Sequence, residues 1–180
     1  KDCGAATASN GAVGLYHIEN LTPEAVEQGE SLIAEGAQVY VIDDAELERV
    51  KASYPVIWKN PDAAPELCFV GCPHMTLRQL IDWTQAVDAE LKSNGLKKVT
   101  VPTVFTASTP VIKEFEKTPY YKQLKRQGII LSYICPLMYM NNPLCKKKAV
   151  ITSSNKLRTY TSARYYTEAE ILHTITTKRR

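Results

Sequence analysis

Residues 66–95 read "ELCFVGCPHMTLRQLIDWTQAVDAELKSNG", and this stretch decides the fold. Its opening, "ELCFVG" (66–71), is a compact apolar run of the kind that forms a buried strand. From Thr76 the pattern changes. Leu77, Leu80, Ile81, Trp83, Val87 and Leu91 follow the three-to-four-residue spacing of one buried helix face. Thr76 is placed to cap that helix and Gly95 to end it. A buried strand feeding an amphipathic helix is the beginning of a crossover unit, the connection that parallel strands require.

The same alternation runs along the rest of the chain. "AQVYVID" (37–43) reads as a strand, with Asp44 as a cap for the helix "DAELERVKASY" that follows. "KKVTVPTVF" (97–105) reads as a strand whose Pro102 argues for an edge or an end. A helix is predicted over 108–127, with Pro110 near its first turn, Pro119 dividing it and Gly128 beyond its end. "GIILSYI" (128–134) and "KAVITS" (148–153) supply further strands, and "TEAEILHTI" (167–175) a short helix. Nearer the start, "LTPEAVEQGESLIAEG" opens a helix with Thr22 as cap, Pro23 at the first position and Glu24 where the dipole favours an anion. Repeated strand–helix units predict an α/β fold: three layers, a mainly parallel sheet with helices on both faces. In such sheets ligands gather beyond the carboxyl ends of the strands.

At 180 residues the chain suits one domain with a real core, expected over 1–180. Its composition, 44% hydrophobic and 23% charged, is that of a globular protein. No apolar run approaches the roughly 20 residues of a membrane span, and no signal peptide opens the chain, so no membrane partner is expected. The opening "KDCGAATASNG" lacks Met and reads as a cut end. The net charge is only +3; the basic clusters "CKKKAV" and "TTKRR" lack interleaved aromatics, so no nucleic-acid partner is expected either. The five cysteines make no evenly spaced framework, and the chain reads as cytoplasmic, where thiols stay reduced.

Chemistry concentrates at two Cys-Pro pairs. Cys72 and Cys135 each end an apolar run, and two strand ends of one sheet can bring them together although 63 positions separate them. A helix end beside Cys72 would lower its pKa. With no CxxC pair and no Cys/His quartet, spacing alone leaves two readings open, strand-end filler or metal ligand. Cys68 lies about 13 Å from Cys72 along an extended strand, too far to share a metal, and reads as core. Cys145, beside three lysines, reads as an exposed loop thiol, and Cys3 as either. His74 is a candidate acid, base or substrate contact, or a hydrogen-bonded loop residue; His17 has the same two readings, and His173 reads as a helix-face residue. "TASNGAVGLYH" is small, polar and glycine-rich, suited to a backbone that approaches a ligand closely, but it lacks the nucleotide-binding glycine spacings. "TSSNKLRTY" (152–160) places Ser153, Ser154, Lys156 and Arg158 after a strand, where hydroxyls and cations suit a carboxylate or phosphate, or form a plain capping turn.

These pieces occur together in one known family. "GAATASNGAVGLYHIENLTPEA", "FVGCPHMTLRQL", "ICP" and "TSSNKLRTY" resemble the C-terminal half of the aconitase X large subunit, the family of cis-3-hydroxy-L-proline dehydratase and mevalonate 5-phosphate dehydratase. The resemblance spans essentially the whole chain, which then looks like a domain excised from a longer subunit. It implies an aconitase-like α/β domain and a hydro-lyase acting on a small hydroxy acid, expected to be cis-3-hydroxy-L-proline, with mevalonate 5-phosphate as the alternative. It implies an iron–sulfur cluster held by Cys72 and Cys135, with a third cysteine outside this chain. Ser154 and Lys156 match a substrate-anchoring Ser-x-Lys, and Ser9, Asn10 and Gly11 would present backbone NH groups to the carboxylate. Asn155, Leu157 and Arg158 depart from the family's pattern, as does the lead "LSYICP". The implied partners are the rest of the large subunit and a small swivelling subunit or domain. A non-catalytic, flavodoxin-like module with structural or redox cysteines is the competing reading.

Overall fold

The structure, a computed structural model, describes residues 2–178. Two compact units emerge from its contacts: 7–54 form one, and 2–6 with 55–178 form the other.

The larger unit is built on a five-stranded sheet. β1 (Leu67–Met75) lies at its centre, β2 (Thr103–Ala107) and β3 (Ile130–Ser132) on one side, β4 (Val150–Thr152) and β5 (Arg164–Tyr165) on the other. Every pairing is parallel, in the order β3-β2-β1-β4-β5. The period-two alternation sends neighbouring residues to opposite faces. Cys68, Val70, Phe105 and Ile151 join one buried cluster, with Leu80, Trp83, Val87 and Leu91 of α4 (Leu77–Ser93), Phe115 of α5 (Thr109–Glu116), Leu124 of α6 (Pro119–Arg126), and Ile171 and Ile175 of α10 (Glu168–Thr176). Phe69, Val104 and Val150 join a second, with Met140 of α7 (Pro136–Met140) and Leu157 of α9 (Asn155–Tyr160). The fold is therefore the expected α/β one: a parallel sheet between two helical layers.

Local signals explain most boundaries. Thr76 caps α4 through a full capping box with Gln79, and Thr167 does the same for α10 with Glu170. Pro119 opens α6 after α5 has ended at Glu116. The strand expected over 97–105 begins only at Thr103, because the NH groups of Val99 and Thr100 go to Gln127 and Ile175 instead of a neighbouring strand. Cys145 lies in the short helix α8 (Pro143–Lys146) and packs against the second cluster, so it is not the exposed loop thiol expected.

The smaller unit departs further from expectation. Of "TASNGAVGLYH" (7–17), the "TASNG" part expected to approach a ligand as a loop lies in α1 (Asp2–Gly11), where alanines favour the helix, and 12–17 are not helical. The helix expected from Thr22 is short, α2 (Pro23–Gln28), stopped by Gly29 in the left-handed region at φ 55°. Thr22 does not cap it by its side chain; its hydroxyl accepts from Ile18 N at 3.0 Å. Residues 37–43 form no strand, and α3 (Asp44–Ala52) is capped by Asp43, not Asp44.

Candidate functional site

The central strand is not regular. Cys68, Phe69 and Val70 pair in step with Thr103, Val104 and Phe105, and the register then shifts so that Met75 meets Ala107. Gly71–His74 bulge out of the ladder between those points. Gly71 makes the bulge possible. Its φ is 109°, and a Cβ there would collide with the Thr106 carbonyl and come within 2.7 Å of Oγ1. The Thr106 hydroxyl donates to the Gly71 carbonyl at 2.5 Å, fixing the bulge to β2. A bulge re-aims the side chains it carries, and here those include Cys72, Pro73 and His74.

The bulge lines a hollow of about 280 Å³ near the carboxyl ends of β1, β4 and β5. Around it stand Cys72, Pro73 and Gln79, with Asp2, Ser153, Tyr165 and Glu168. Cys72 is buried, and that burial is the main reason its pKa is pushed up. Three side chains singled out by sequence act on it. Ser154 hydrogen-bonds the thiol and Lys156 supplies positive charge, both favouring thiolate, whereas the negative charge of a Cys135 thiolate opposes it. The carboxylate of Asp2 opposes it as well. The thiolate-favouring helix end expected from sequence is outweighed, because Cys72 sits in the bulge, out of water and ahead of the α4 cap at Thr76.

Each partner has its own support. Ser154 is buried; it caps α9, accepting from Leu157 N at 3.0 Å, while its own NH donates to Thr152 Oγ1 at 3.1 Å. The cap orients the α9 backbone that carries Lys156. Cys135 occupies the cap position of α7 after β3, half-buried. Arg158 is turned along its own helix, donating to Asn155 Oδ1 at 2.8 Å and Thr159 Oγ1 at 3.2 Å. The Cys72 thiol thus feels Cys135, Ser154 and Lys156, residues far apart in sequence, and of the four Cys72 is the one that lines the hollow.

Other candidates fall elsewhere. His74 is half-buried within the bulge but does not line the hollow. Ser9, Asn10 and Gly11 belong to the smaller unit and to the end of α1, so the glycine-rich loop expected to offer its NH groups is helical. His17 is exposed, 3.9 Å from Glu24, and His173 is exposed on α10. Cys68 is buried against Thr103 and its thiol pushed strongly up, as a core residue should be. None of the five cysteines forms a disulfide, and among the described residues no group of three or more Cys, His, Asp or Glu is arranged to hold a metal by itself. Sequence reading missed Asp2, Gln79, Tyr165 and Glu168. Gln79 and Glu168 were visible only as residues at helix starts, which signals capping rather than a site.

A five-stranded, all-parallel sheet covered by helices on both faces is the architecture of an aconitase-like α/β domain. The chain belongs to the aconitase X family: the family model for the aconitase X third domain matches residues 65–175, and that for the second domain matches 1–52. Among similar proteins, the phosphomevalonate dehydratase large subunit of Thermococcus kodakarensis is 31% identical over 136 residues, 75% of this chain and 32% of that protein. The protein of the same name from Methanosarcina mazei is 34% identical over 80 residues, 44% of this chain and 18% of that one. A crystal structure of Thermococcus kodakaraensis aconitase X in its holo-form shares the fold, with a TM-score of 0.75 and 23% identity over 99% of this chain and 43% of that chain. The chain therefore spans about a third of the length of the first of these relatives. No described helix is long and apolar enough to cross a membrane.

Proposed function

We propose that this chain is the part of an iron–sulfur hydro-lyase that carries two of the cluster's cysteine ligands, and that the whole enzyme dehydrates a phosphorylated β-hydroxy acid such as mevalonate 5-phosphate. What supports the reading is Cys72, in the bulge near the carboxyl edge of the sheet, hydrogen-bonded by Ser154 and within the influence of Cys135 and Lys156. The donor chemistry fits the group. The buried Cys72 thiol, whose anionic form burial and the charge of a Cys135 thiolate both oppose, favours the thiolate only once a cation binds it, and iron–sulfur clusters are held by thiolates. Cys72 and Cys135 would hold the cluster, with a third ligand from outside this chain. When bound, the cluster would supply an open iron position able to take the departing hydroxyl.

The chain's own residues do the rest. The Ser154 hydroxyl hydrogen-bonds the Cys72 sulfur while its oxygen accepts from Leu157, so the sulfur is held in one orientation. Lys156 offers a compact cation for the carboxylate or phosphate of the substrate. Burial of Cys72 limits the contact of its sulfur with bulk water. His74, a candidate acid, base or substrate contact from sequence, lies in the bulge beside Cys72, and Glu168, which lines the hollow, is a second candidate for the base. The relatives' name, phosphomevalonate dehydratase, supports the phosphorylated substrate over cis-3-hydroxy-L-proline. The reading places the enzyme in the cytoplasm, with the rest of the large subunit and a small swivelling partner, and makes the 180 residues inactive alone.

The test is the full-length enzyme carrying these residues, joined to its small partner and reconstituted anaerobically with iron and sulfide. Turnover of mevalonate 5-phosphate is expected, with Cys72→Ser and Cys135→Ser each losing bound iron and visible absorbance. Turnover of cis-3-hydroxy-L-proline alone would overturn the substrate. Full iron content in both variants would overturn the ligands.

A further inference from the structure

A second hollow, of about 770 Å³, lies at the opposite edge of the same sheet. It is lined by Trp58, Lys59, Glu66, Lys146, Lys147 and Lys148, among others. Glu66 directly precedes β1 and Ala149 directly precedes β4, so this is the amino edge of the two central strands. Cys72 lies six residues beyond Glu66, roughly 20 Å along an extended strand. The two places are separate.

The frame of this hollow is well fixed. Glu66 and Ala149 exchange hydrogen bonds: Glu66 N donates to Ala149 O at 2.8 Å, and Ala149 N to Glu66 Oε2 at 2.9 Å. Trp58 is buried, and its indole NH donates to Ser162 O at 2.9 Å. The guanidinium of Arg164 lies over that indole, 5.6 Å from its centre, and donates to Pro61 O at 3.3 Å. The Ser162 hydroxyl donates to Lys146 O at 3.4 Å. Segments 57–66, 146–149 and 162–164 are thereby tied into one wall.

The charge on that wall is one-sided. Four lysines line the hollow with a single carboxylate, Glu66, whose nearest ammonium is Lys148 at 3.9 Å. Lys59, Lys146 and Lys147 make no ion pair among the described residues. Cations gathered in a concave place reinforce one another's field and attract anions more strongly than the same charges spread on a convex surface. Compact ammonium groups on flexible stems suit phosphate oxygens. The volume is that of a small-molecule site, and Ile57 and Ala63 add apolar wall for an organic body.

We propose that this hollow binds an organic oligophosphate, with its phosphates among Lys59, Lys146, Lys147 and Lys148 and its organic part against Ile57 and Ala63. The site is independent of the cysteine edge and holds whether or not the dehydratase reading does.

Tryptophan fluorescence reads it directly, since Trp58 is in the wall. The 180-residue chain is titrated at about 50 mM salt with inorganic triphosphate and with adenosine diphosphate as probes. Saturable change is expected with both, weakened at least tenfold by Lys146→Glu with Lys147→Glu, and weakened at about 500 mM salt. Lys59→Gln, from a different segment of the wall, is expected to weaken both probes too. Circular dichroism of the unliganded variants, expected to match the parent, keeps loss of binding distinct from loss of fold. Absence of saturable binding to the parent overturns the proposal. So does parental affinity in the double variant, or tighter binding of oligothymidylate or polyglutamate than of either probe, which would make the hollow a macromolecular surface.

Discussion

Two runs of this chain carry the same strand-like signal and meet different fates. "AQVYVID" (37–43) and "ELCFVG" (66–71) are both short, apolar and rich in β-favouring residues. The second becomes the middle of a five-stranded sheet, with Cys68 and Phe69 at 0% and 1% exposure. The first forms no strand, and its Val39 and Val41 are 89% and 73% exposed. β-Propensity measures fit to a pleated, half-buried surface, and it is satisfied only where neighbours supply that surface. Residues 67–75 have neighbours on both sides, since Thr103–Ala107 and Val150–Thr152 pair with them. For 37–43 no pairing is formed among the described residues, and Tyr40 instead hydrogen-bonds Glu46 of α3.

The comparison is broken most forcefully at the sheet's centre. Phe105, fully buried opposite Val70 and edge-on to Trp83 at 5.6 Å, is expected to cost about 3–5 kcal/mol when changed to Ala. Urea unfolding of the chain checks it; a loss below about 1 kcal/mol would mean the sheet is not the main source of stability. Gly71→Ala comes next, at about 2–4 kcal/mol, because it combines a strained backbone with overpacking against Thr106. It should also alter the thiol of Cys72, one residue away, so the reaction rate of that thiol with a probe such as dithiobis-nitrobenzoate is the second readout.

The same contrast explains what could be read in advance. The α4 face, the Thr76 cap and the division at Pro119 were legible because each depends on residues close together in sequence. The Cys-Pro pairs and the Ser-x-Lys turn stood out as residue types, and family resemblance joined them. What no local pattern carries is the bulge. Gly71 reads as an ordinary strand end, and only its encounter with Thr106, on another strand, shows why a glycine is required. Asp2 and Tyr165 reach the hollow by the same long-range route. α1 was misread for a different reason: Ser, Asn and Gly signal loops, yet interspersed alanines let a helix form through them.

A matched pair of substitutions sharpens the comparison at lower energy. Val70→Thr puts a hydroxyl into the core at a position 3% exposed, and an unpartnered buried hydroxyl costs about 1–3 kcal/mol. Val41→Thr makes the same change on an exposed run and should stay within about 0.5 kcal/mol. Equal losses, measured by the same urea titration, would show that 37–43 is buried in solution and that the two runs are alike after all.

The smallest effect concerns what holds the exposed run in place. Glu46 accepts from Arg49 Nε at 2.5 Å and from the Tyr40 hydroxyl, and these bonds, the Arg49 guanidinium first, lower its pKa from 4.5 to about 2. Arg49 is correspondingly held further toward its charged form. A carboxyl whose folded pKa is depressed contributes stability that is fully present above its unfolded value. That contribution is lost as pH falls from about 4.5 through about 2. The group is solvent-exposed, so salt should screen the contribution and its size should be small. Proton–carbon NMR of the Tyr40 ring across that pH range should therefore report a local release, with the sheet's amide signals unmoved. Glu46→Gln should show the released spectrum at neutral pH. If Tyr40 instead shifts together with the amides of β1, the run and the sheet unfold as one body, and the contrast between them is lost.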